Sequence, residues 1–405
     1  LDTFMMTPEQ ALLSFIEHSQ NAGLAVIEGN RGLYDGVDHK GTYSTAELSK
    51  LLGSPVIISV DCTKATNTIA ALVLGCQKMD PGVAIGGVVL NRIATARQES
   101  VIRNAIAEKC GLPVLGSIPR LKKDPFPERH MGLTPFQEHG GIDESIEAVR
   151  EIGEQYLDLE AILKAAGDAG PLETSSASGS GLRTTDNGIR IGIIRDSAFQ
   201  FYYRENIEEL QKRGASIIEV SPLREDSLPD IDGLYIGGGF PETHAIALAD
   251  NRKFRDSLYN AIEAGLPVYA ECGGLMYLGR ALVLDNKTYP MVGVFPITFG
   301  MQKRPRAHGY TIVEAENDNP YFPKKCILKG HEFHYSEVLE IDRENIHMAF
   351  RNRRGKGIVD DMDGICYKNV LAAYTHLHAI GAPEWADGII RCALEYNKTR
   401  HRGTK

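Results

Sequence analysis

Short apolar runs alternate with amphipathic segments along most of this chain. A run that is apolar throughout is typical of a strand buried on both faces of a parallel sheet. We therefore predict the α/β fold class, with two doubly wound domains whose mainly parallel sheets are covered by helices. The predicted strands are 24–27, 55–60, 87–90 and 113–116 in the first half, and 190–194, 216–220, 233–236 and 267–270 in the second.

Helix-start signals precede the amphipathic segments of the first half. Thr7 and Gln10 have the spacing of a capping box, and Pro8 takes the first helical position. Ser44 and Glu47 repeat the spacing ahead of a second helix. Further helices are predicted at about 66–79 and near 98–109.

One stretch of the chain cannot contribute to a hydrophobic core. Residues 166–188 are rich in Gly, Ser and Thr and almost free of large apolar side chains. We interpret them as a flexible linker between a first domain, 1–165, and a second domain, 189–398. The basic residues 399–405 are interpreted as a solvated tail.

Composition excludes several classes of protein. The net charge of −9 disfavours a nucleic-acid-binding protein or one that lies on an anionic membrane. No apolar run approaches the roughly 18 residues that span a bilayer, and no signal peptide is visible. The seven cysteines are scattered and include no CxxC pair, so we expect neither a disulfide framework nor a zinc knuckle. A cytoplasmic location fits this cysteine usage.

Cys272 lies between an apolar strand and a pair of glycines that opens a helix. A sharp turn of this kind exposes a nucleophile at the edge of a sheet, where the helix N-terminus favours a thiolate. The alternative is a buried cysteine in a tight turn. Two further segments favour the nucleophile. Residues 237–239 form a glycine loop that follows a strand and whose amides suit an oxyanion, and residues 373–378 supply histidines after another strand.

Polar residues also follow the predicted strands of the first domain. Glu28 follows strand 24–27, and Asp35 lies in the glycine loop after it. Asp61 follows strand 55–60. Because ligands of doubly wound domains bind at the carboxyl ends of strands, these acids indicate a cleft, with Glu28 as a Mg²⁺ ligand. An acid that only caps a turn is the alternative for Glu28.

Asn91 and Arg92 extend the predicted cleft, because they follow strand 87–90. Arg129 and His130 follow a proline-rich turn, where they are expected to contact an anionic substrate; the alternative is a pair of surface-loop residues.

A phosphate-binding loop of the form Gly-x-x-x-x-Gly-Lys-Ser/Thr is absent from the sequence. A triphosphate site in a sheet of this kind normally needs such a loop. The fold expectation is therefore a P-loop-NTPase-like first domain that lacks its first strand and phosphate loop. From this absence we expect the chain, as written, to be an N-terminally shortened form that does not turn over ATP, while its second domain keeps glutaminase activity.

Taken together, eight motifs resemble the cobyrinate a,c-diamide synthase family. They lie at 1–6, 28–36, 127–133, 196–206, 237–242, 270–277, 330–336 and 374–378. The family joins an ATP-dependent amidoligase domain of the dethiobiotin-synthetase type to a class I (flavodoxin-like) glutamine amidotransferase domain. The resemblance implies a carbon–nitrogen ligase that amidates the a and c carboxylates of cobyrinate or hydrogenobyrinate in cobalamin biosynthesis. The implied cofactor is Mg²⁺, and the implied substrates are ATP, glutamine and an anionic tetrapyrrole. A homodimer is a further expectation.

The resemblance also implies roles for individual residues. Cys272 would attack the glutamine side-chain amide with His376 as base. The backbone amides of Gly238, Gly239 and Gly273 would form the oxyanion hole. Spacing alone does not choose between His376 and His378, which face the same side of a strand; the family's Tyr-x-His pattern favours His376. His331 and His334 are close in sequence, but we discount a metal site there because their segment also matches the family.

The sequence departs from the class I pattern at one catalytic position. Many class I amidotransferases place Glu two residues after the catalytic His, where this chain has His378. The orienting acid is therefore left unassigned. Three other functions remain open: a Ni-sirohydrochlorin a,c-diamide synthase of coenzyme F430 biosynthesis, a partitioning-type ATPase and a pseudoenzyme.

Overall fold

The chain folds into two compact units. A computed structural model describes residues 1–122, 128–129, 132–133, 141–172 and 187–402. The first unit comprises Leu1–Thr3 and Pro8–Ser178, and the second comprises Phe4–Thr7 and Gly179–Lys405. The division after Ser178 falls within the segment 166–188 that the sequence marks as a linker.

The first unit is built around a three-stranded parallel sheet. Its elements are α1 (Pro8–Ser19), α2 (Thr45–Leu51), β1 (Val56–Asp61), α3 (Asn67–Met79), β2 (Ile85–Ile93), α4 (Ala96–Cys110), β3 (Val114–Pro119), β4 (Glu128–Arg129), β5 (Gly132–Leu133), α5 (Ile142–Tyr156) and α6 (Leu159–Gly167). The strand order is β1-β2-β3, and β4 pairs with β5. Apolar side chains from β1, β2, α3 and α4 form the core of this unit.

Local signals in the sequence fix the helix starts of this unit. Helix α1 begins at Pro8 as predicted, since a proline at the first helical position loses no intrahelical hydrogen bond. Helix α2 begins after Ser44, whose Oγ accepts a hydrogen bond from the Glu47 amide at 3.5 Å. The predicted strands 55–60, 87–90 and 113–116 correspond to β1, β2 and β3.

The predicted strand 24–27 is wrong. These residues have no regular secondary structure, and Val26 is 86% exposed. A strand needs a hydrogen-bonded neighbour, and among the described residues none pairs with this segment. Glu28 therefore does not lie at a strand end.

The segments assigned to the linker and the tail are partly helical. Helix α6 continues through Gly167, two residues into the segment 166–188. At the other end of the chain, the last helix runs through Arg402 and so includes the first residues of the segment 399–405. Residues 173–186 and 403–405 lie outside the described residues.

The second unit contains a ten-stranded sheet and a smaller four-stranded one. Its helices are α7 (Arg204–Lys212), α8 (Ala245–Asp250), α9 (Arg252–Glu263), α10 (Gly273–Leu278) and α11 (Pro383–Arg402), with 3₁₀ turns at Pro241–His244 and Arg343–Asn345. Its strands are β6 (Ile189–Ile194), β7 (Phe199–Phe201), β8 (Ala215–Val220), β9 (Gly233–Ile236), β10 (Gly238–Gly239), β11 (Val268–Glu271), β12 (Ala281–Leu284), β13 (Lys287–Pro290), β14 (Ile297–Met301), β15 (Ala307–Ala315), β16 (Ile327–His334), β17 (Ser336–Ile341), β18 (His347–Arg354), β19 (Met362–Tyr367), β20 (Val370–Ala373) and β21 (His376–Leu377).

The parallel strands of the large sheet are neighbours at one end of its strand order. The order is β21-β16-β15-β18-β19-β20-β11-β9-β6-β8, in which β20, β11, β9, β6 and β8 are parallel. The remaining strands extend this sheet antiparallel. The four strands predicted for this half are all in the parallel part.

Alternation along the strands builds a separate core on each face of the sheet. Val268 and Ala270 of β11 pack into one core, whereas Tyr269 packs into the other against Tyr235 and Trp385. Because both faces are covered, β11 is apolar along its length until it reaches its carboxyl end. The described part of the chain contains no helix with the length and hydropathy of a membrane span.

Candidate active site

Cys272 occupies a sharp turn between β11 and α10. Its φ of 49° and ψ of −99° lie outside the regions that an ordinary side chain prefers. Such a conformation costs about 1–3 kcal/mol and persists only when surrounding contacts hold it. The Cys272 amide donates to the Ala373 carbonyl at 2.8 Å, and the Met276 amide donates to the Cys272 carbonyl at 3.0 Å. The turn therefore presents the thiol at the carboxyl end of a parallel strand.

The glycine loop after β9 lies directly against this turn. The Gly274 amide donates to the Gly237 carbonyl at 3.2 Å. A Cβ added to Gly273 would lie 2.9 Å from the backbone nitrogen of Gly239, and one added to Gly238 would lie 2.8 Å from Cε1 of His376. These positions have no room for a side chain. The glycines let two backbone segments and the imidazole ring approach each other closely, as an oxyanion hole requires.

Buried polar side chains fix the segment that carries His376. The Asp363 carboxylate accepts hydrogen bonds from the amides of Tyr374 and Thr375, at 2.9 and 3.0 Å. Asn206 donates to the Leu377 carbonyl at 2.9 Å. Both of these side chains are fully buried. Buried polar groups are stabilising only when they are hydrogen bonded, so these contacts hold the segment in one position.

Glu271 is the carboxylate next to His376. Its Oε2 lies 3.2 Å from Nδ1 of His376 and accepts a hydrogen bond from the Tyr235 hydroxyl at 3.0 Å. Its Oε1 accepts the Leu377 amide at 3.2 Å. The side chain is 1% exposed. An acid at Nδ1 directs Nε2 of the ring away from itself and stabilises an imidazolium, as the third member of a catalytic triad does.

Electrostatics favour a protonated His376. Burial by itself lowers the pKa of this imidazole, but the hydrogen bonds to Cys272 and Glu271 and the negative charge of both groups raise the pKa to about 10. At neutral pH the ring therefore carries two protons, one of which faces Glu271. A cysteine beside an imidazolium has the environment of a reactive thiolate.

The structure distinguishes between the two candidate histidines. His376 contacts Glu271 and interacts with Cys272, whereas His378 packs its ring against Tyr203 with centroids 4.7 Å apart. Nε2 of His378 lies 3.6 Å from the Glu205 carboxylate. His376, the residue expected from the Tyr-x-His pattern, is thus the histidine whose ring lies beside Cys272 and Glu271.

Strand pairing brings part of the predicted nucleotide cleft together. Asp61 of β1 pairs in register with Asn91 of β2. The Arg92 guanidinium lies 3.3 Å from the Asp61 carboxylate, and the Thr63 amide donates to the same group at 2.8 Å. The hydrogen bonds from Thr63, together with the Arg92 charge, lower the pKa of Asp61. Asp61, Asn91 and Arg92 thus lie together at the carboxyl ends of β1 and β2.

The other residues predicted for this cleft are not joined to that group. Glu28 and Asp35 are exposed and lie in irregular chain, where the Gly32 amide donates to Asp35 at 3.1 Å. Arg129 lies in the short strand β4, and His130 lies outside the described residues. No group of three or more His, Cys, Asp or Glu side chains suited to a metal occurs in the described ranges. Glu28 offers one carboxylate, which fits Mg²⁺ because this ion takes one or two carboxylates together with water and phosphate.

Sequence reasoning missed Glu271, Asp363 and Asn206. The signal for Glu271 is present in the sequence, since it is the one acidic residue of the buried strand β11 and immediately precedes Cys272. A buried carboxylate at such a position needs a partner. Asn206 is far from the His376 segment in sequence, and Asp363 lies on the neighbouring strand β19, so the fold brings both of them there.

Both units of the chain match known protein domains. Residues 190–383 match the CobB/CobQ-like glutamine amidotransferase domain, and residues 6–124 match an AAA domain. Cobyrinate a,c-diamide synthase of Magnetococcus marinus is 39% identical over 96% of this chain and 84% of its own length. The enzymes of the same name from Archaeoglobus fulgidus and Methanothermobacter thermautotrophicus are 38% and 39% identical, each over 98% of this chain and over 85% and 88% of their own lengths.

These matches cover both units and extend over nearly the whole chain. They identify a carbon–nitrogen ligase with glutamine as the amide nitrogen donor and with a nucleotide-using domain. The chain belongs to the cobyrinate a,c-diamide synthase family.

Proposed function

We propose that this protein amidates the a and c carboxylates of cobyrinate, using ATP and ammonia released from glutamine at Cys272. The observation that carries the proposal is the arrangement of Cys272, His376 and Glu271 at the carboxyl end of β11, within a chain whose relatives bear the name cobyrinate a,c-diamide synthase. Glu271 takes the place of the acid that many class I amidotransferases carry two residues after the histidine.

The amidotransferase half proceeds through a covalent intermediate. The Cys272 thiolate attacks the side-chain carbonyl carbon of glutamine, and the negative charge moves to the oxygen, which the amides of Gly238, Gly239 and Gly273 accept. His376 transfers its proton from Nε2 to the leaving nitrogen, so that ammonia departs and a thioester remains. His376 then removes a proton from water, which attacks the thioester and releases glutamate. Throughout these steps, Nδ1–H of His376 donates a hydrogen bond to the Glu271 carboxylate.

The ligase half activates the acceptor carboxylate. A carboxylate oxygen attacks the terminal phosphorus of ATP, ADP leaves, and ammonia then displaces phosphate from the acyl phosphate to give the amide. The polar group formed by Asp61, Asn91 and Arg92 lies at the sheet edge where such ligands bind. Glu28 is the proposed Mg²⁺ ligand, and this ion would neutralise phosphate charge when bound. Arg129 and His130 are proposed to contact the anionic substrate.

Glutamine hydrolysis tests the first half of the proposal. The purified protein is incubated with glutamine, and glutamate is measured with and without prior treatment by iodoacetamide. We expect glutamate release that iodoacetamide abolishes. Release that survives in a Cys272→Ala variant would contradict the assignment of the nucleophile.

Amidation assays test the substrate. Cobyrinate and Ni-sirohydrochlorin are each supplied with ATP, Mg²⁺ and glutamine, and diamide products are measured by mass. In protein that turns over ATP we expect the cobyrinate diamide; diamidation of Ni-sirohydrochlorin alone would overturn the proposed substrate. ATP hydrolysis by this chain would overturn the expectation drawn from the absent phosphate loop. Glutamine hydrolysis without ATP hydrolysis would restrict this chain to the glutaminase half.

A further inference from the structure

His331 lies against the face of the His376 ring. The two residues are opposite each other in the antiparallel pair formed by β16 and β21. Their ring centroids are 4.9 Å apart and the ring planes differ by 20°. Residues directly opposite each other on neighbouring strands are close enough for such side-chain contact. The contact covers one face of the ring that exchanges protons in the proposed reaction.

Hydrogen bonding at Nδ1 does not by itself fix the plane of His376. Glu271 holds one ring nitrogen at 3.2 Å, but the χ2 torsion of histidine has broad minima. The ring can tilt about that contact and carry Nε2 away from the thiol. A flat side chain stacked on the ring opposes this tilt. His331 is the stacked group.

The chemical state of His331 suits this position. Burial, with smaller contributions from the charges of His376 and His308, lowers the pKa of His331 to about 3. The ring is therefore neutral at physiological pH and presents its π face to a protonated imidazole, an attractive arrangement. A second imidazolium in the same place would repel His376.

Tyr203 holds His331 in turn. Its hydroxyl lies 3.0 Å from Nδ1 of His331. The Tyr203 ring packs against His378 at 4.7 Å, and its hydroxyl lies 3.8 Å from Sδ of Met5. Met5 is buried and belongs to the same compact unit. The contacts thus run from Tyr203 to His331 and from His331 to His376, which interacts with the thiol.

We infer that His331 is a positioning residue, which keeps the His376 ring in the plane from which Nε2 reaches both the thiol and the leaving nitrogen, and that Tyr203 fixes its orientation. The inference rests on the proposed role of Cys272 and His376 in glutamine hydrolysis. Neither His331 nor Tyr203 is assigned a contact with glutamine. Their loss should therefore change the rate of the chemical step and leave glutamine binding unchanged.

The test compares three variants of the whole chain in steady-state glutaminase assays. His331→Ala removes the stacked ring, and we expect kcat to fall about 10- to 100-fold, the range for a displaced catalytic group, with KM little changed. His331→Phe keeps a flat ring and should recover kcat to within about threefold of the unmutated protein. Tyr203→Phe should lower kcat by a smaller factor, also without raising KM. His347→Ala is the control, since it removes an exposed histidine from β18 of the same sheet.

A second readout separates positioning from general loss of structure. The rate of Cys272 alkylation by iodoacetamide is measured across pH, because it depends on the imidazole beside the thiol and not on glutamine. We expect the alkylation profile of His331→Ala to differ from that of the unmutated protein and the profile of His331→Phe to match it. Thermal unfolding establishes that each variant is folded. If His331→Ala does not fold, the His331→Phe and Tyr203→Phe variants, which keep an aromatic ring, carry the comparison.

Two outcomes would overturn the inference. Equal kcat for His331→Ala and the unmutated protein would show that the stacked ring does not position His376. A raised KM with unchanged kcat would make His331 a glutamine-binding residue instead. Failure of the unmutated protein to release glutamate would overturn the proposed function itself, a result distinct from both.

Discussion

The carboxylate of Glu271 lies 3.2 Å from Nδ1 of His376, although the two residues are more than a hundred positions apart in the chain. Glu271 is also the residue immediately before Cys272. One strand end therefore supplies both the proposed nucleophile and the carboxylate that contacts the proposed catalytic histidine. In the usual class I arrangement the acid belongs instead to the segment that carries the histidine.

Replacing Glu271 by Gln should impair glutamine hydrolysis and leave the fold largely intact. An amide has the same shape but presents no negative charge to the imidazolium, so we expect kcat to fall about 10²- to 10⁴-fold, as in triads whose acid is neutralised. Glutamate release measures the effect. Glu263→Gln is the matched control, because Glu263 pairs with Lys368 on the surface at 2.6 Å. A kcat for Glu271→Gln close to that of the control would contradict the role of the acid.

Replacing Cys272 by Ala should separate the two nitrogen sources. Glutamine-dependent amidation requires the thiol, whereas ammonia supplied as a high concentration of ammonium salt does not. We expect amidation with glutamine to be lost and amidation with ammonium to continue in protein that turns over ATP. Cys366→Ala, which removes another free cysteine, should retain both activities. Loss of the ammonium-dependent activity in Cys272→Ala would mean that the substitution damages the ligase half.

A methyl group at Gly238 should displace the catalytic imidazole. The added Cβ would lie 2.8 Å from Cε1 of His376, a distance that real side chains essentially never show. We expect glutaminase kcat to fall about 100-fold or more, because misplacing a catalytic group by about 1 Å has effects of this size. Gly75→Ala is the control, since a Cβ there meets no atom within 4 Å and lies inside α3. Normal activity in Gly238→Ala would show that the site has more room than the structure gives it.

The proton on His376 should make stability depend on pH. The folded pKa of about 10 exceeds the usual value of 6.5, so the folded state keeps a proton that the unfolded state releases. This contribution to stability is complete below about pH 6.5 and is lost as the pH rises through about 10. We expect the free energy of unfolding to decline more steeply from about pH 7 to 10 for the unmutated protein than for His376→Gln. Parallel curves in denaturant titrations would refute the raised pKa.

Local patterns were sufficient to predict strands β1, β2, β3, β6, β8, β9 and β11 and to indicate Cys272 as a nucleophile. The choice of His376 over His378 needed the family's Tyr-x-His pattern. Cys272 could be identified because a strand, a cysteine and two glycines in succession specify one kind of turn. The same reasoning failed for the segment 24–27, where four apolar residues resemble a strand but no neighbour pairs with them. Whether an apolar run becomes a strand depends on whether another strand is available to pair with it, and the run itself does not encode that.

The residues that hold His376 and its segment in place could not be predicted from local patterns. Asp363, Asn206 and His331 come from three separate elements, and the order of strands in the large sheet decides which of them meet. Glu271 was within reach of sequence reasoning, since a lone acid at the end of a buried apolar strand requires a partner. Its identity as the partner of His376 nevertheless depends on the position of β21.

The second oxygen of Glu271 has a consequence for the register of β21. This edge strand has two residues, and they pair only with Gly330 and His331 of β16. A slip of one residue would turn the imidazole to the opposite face of the sheet. Oε1 of Glu271 also accepts a hydrogen bond from the Leu377 amide at 3.2 Å, so the carboxylate binds both the ring of His376 and the backbone beside it. A shift of β21 would therefore break both of these hydrogen bonds, so Glu271 ties the register of the edge strand to the position of the imidazole.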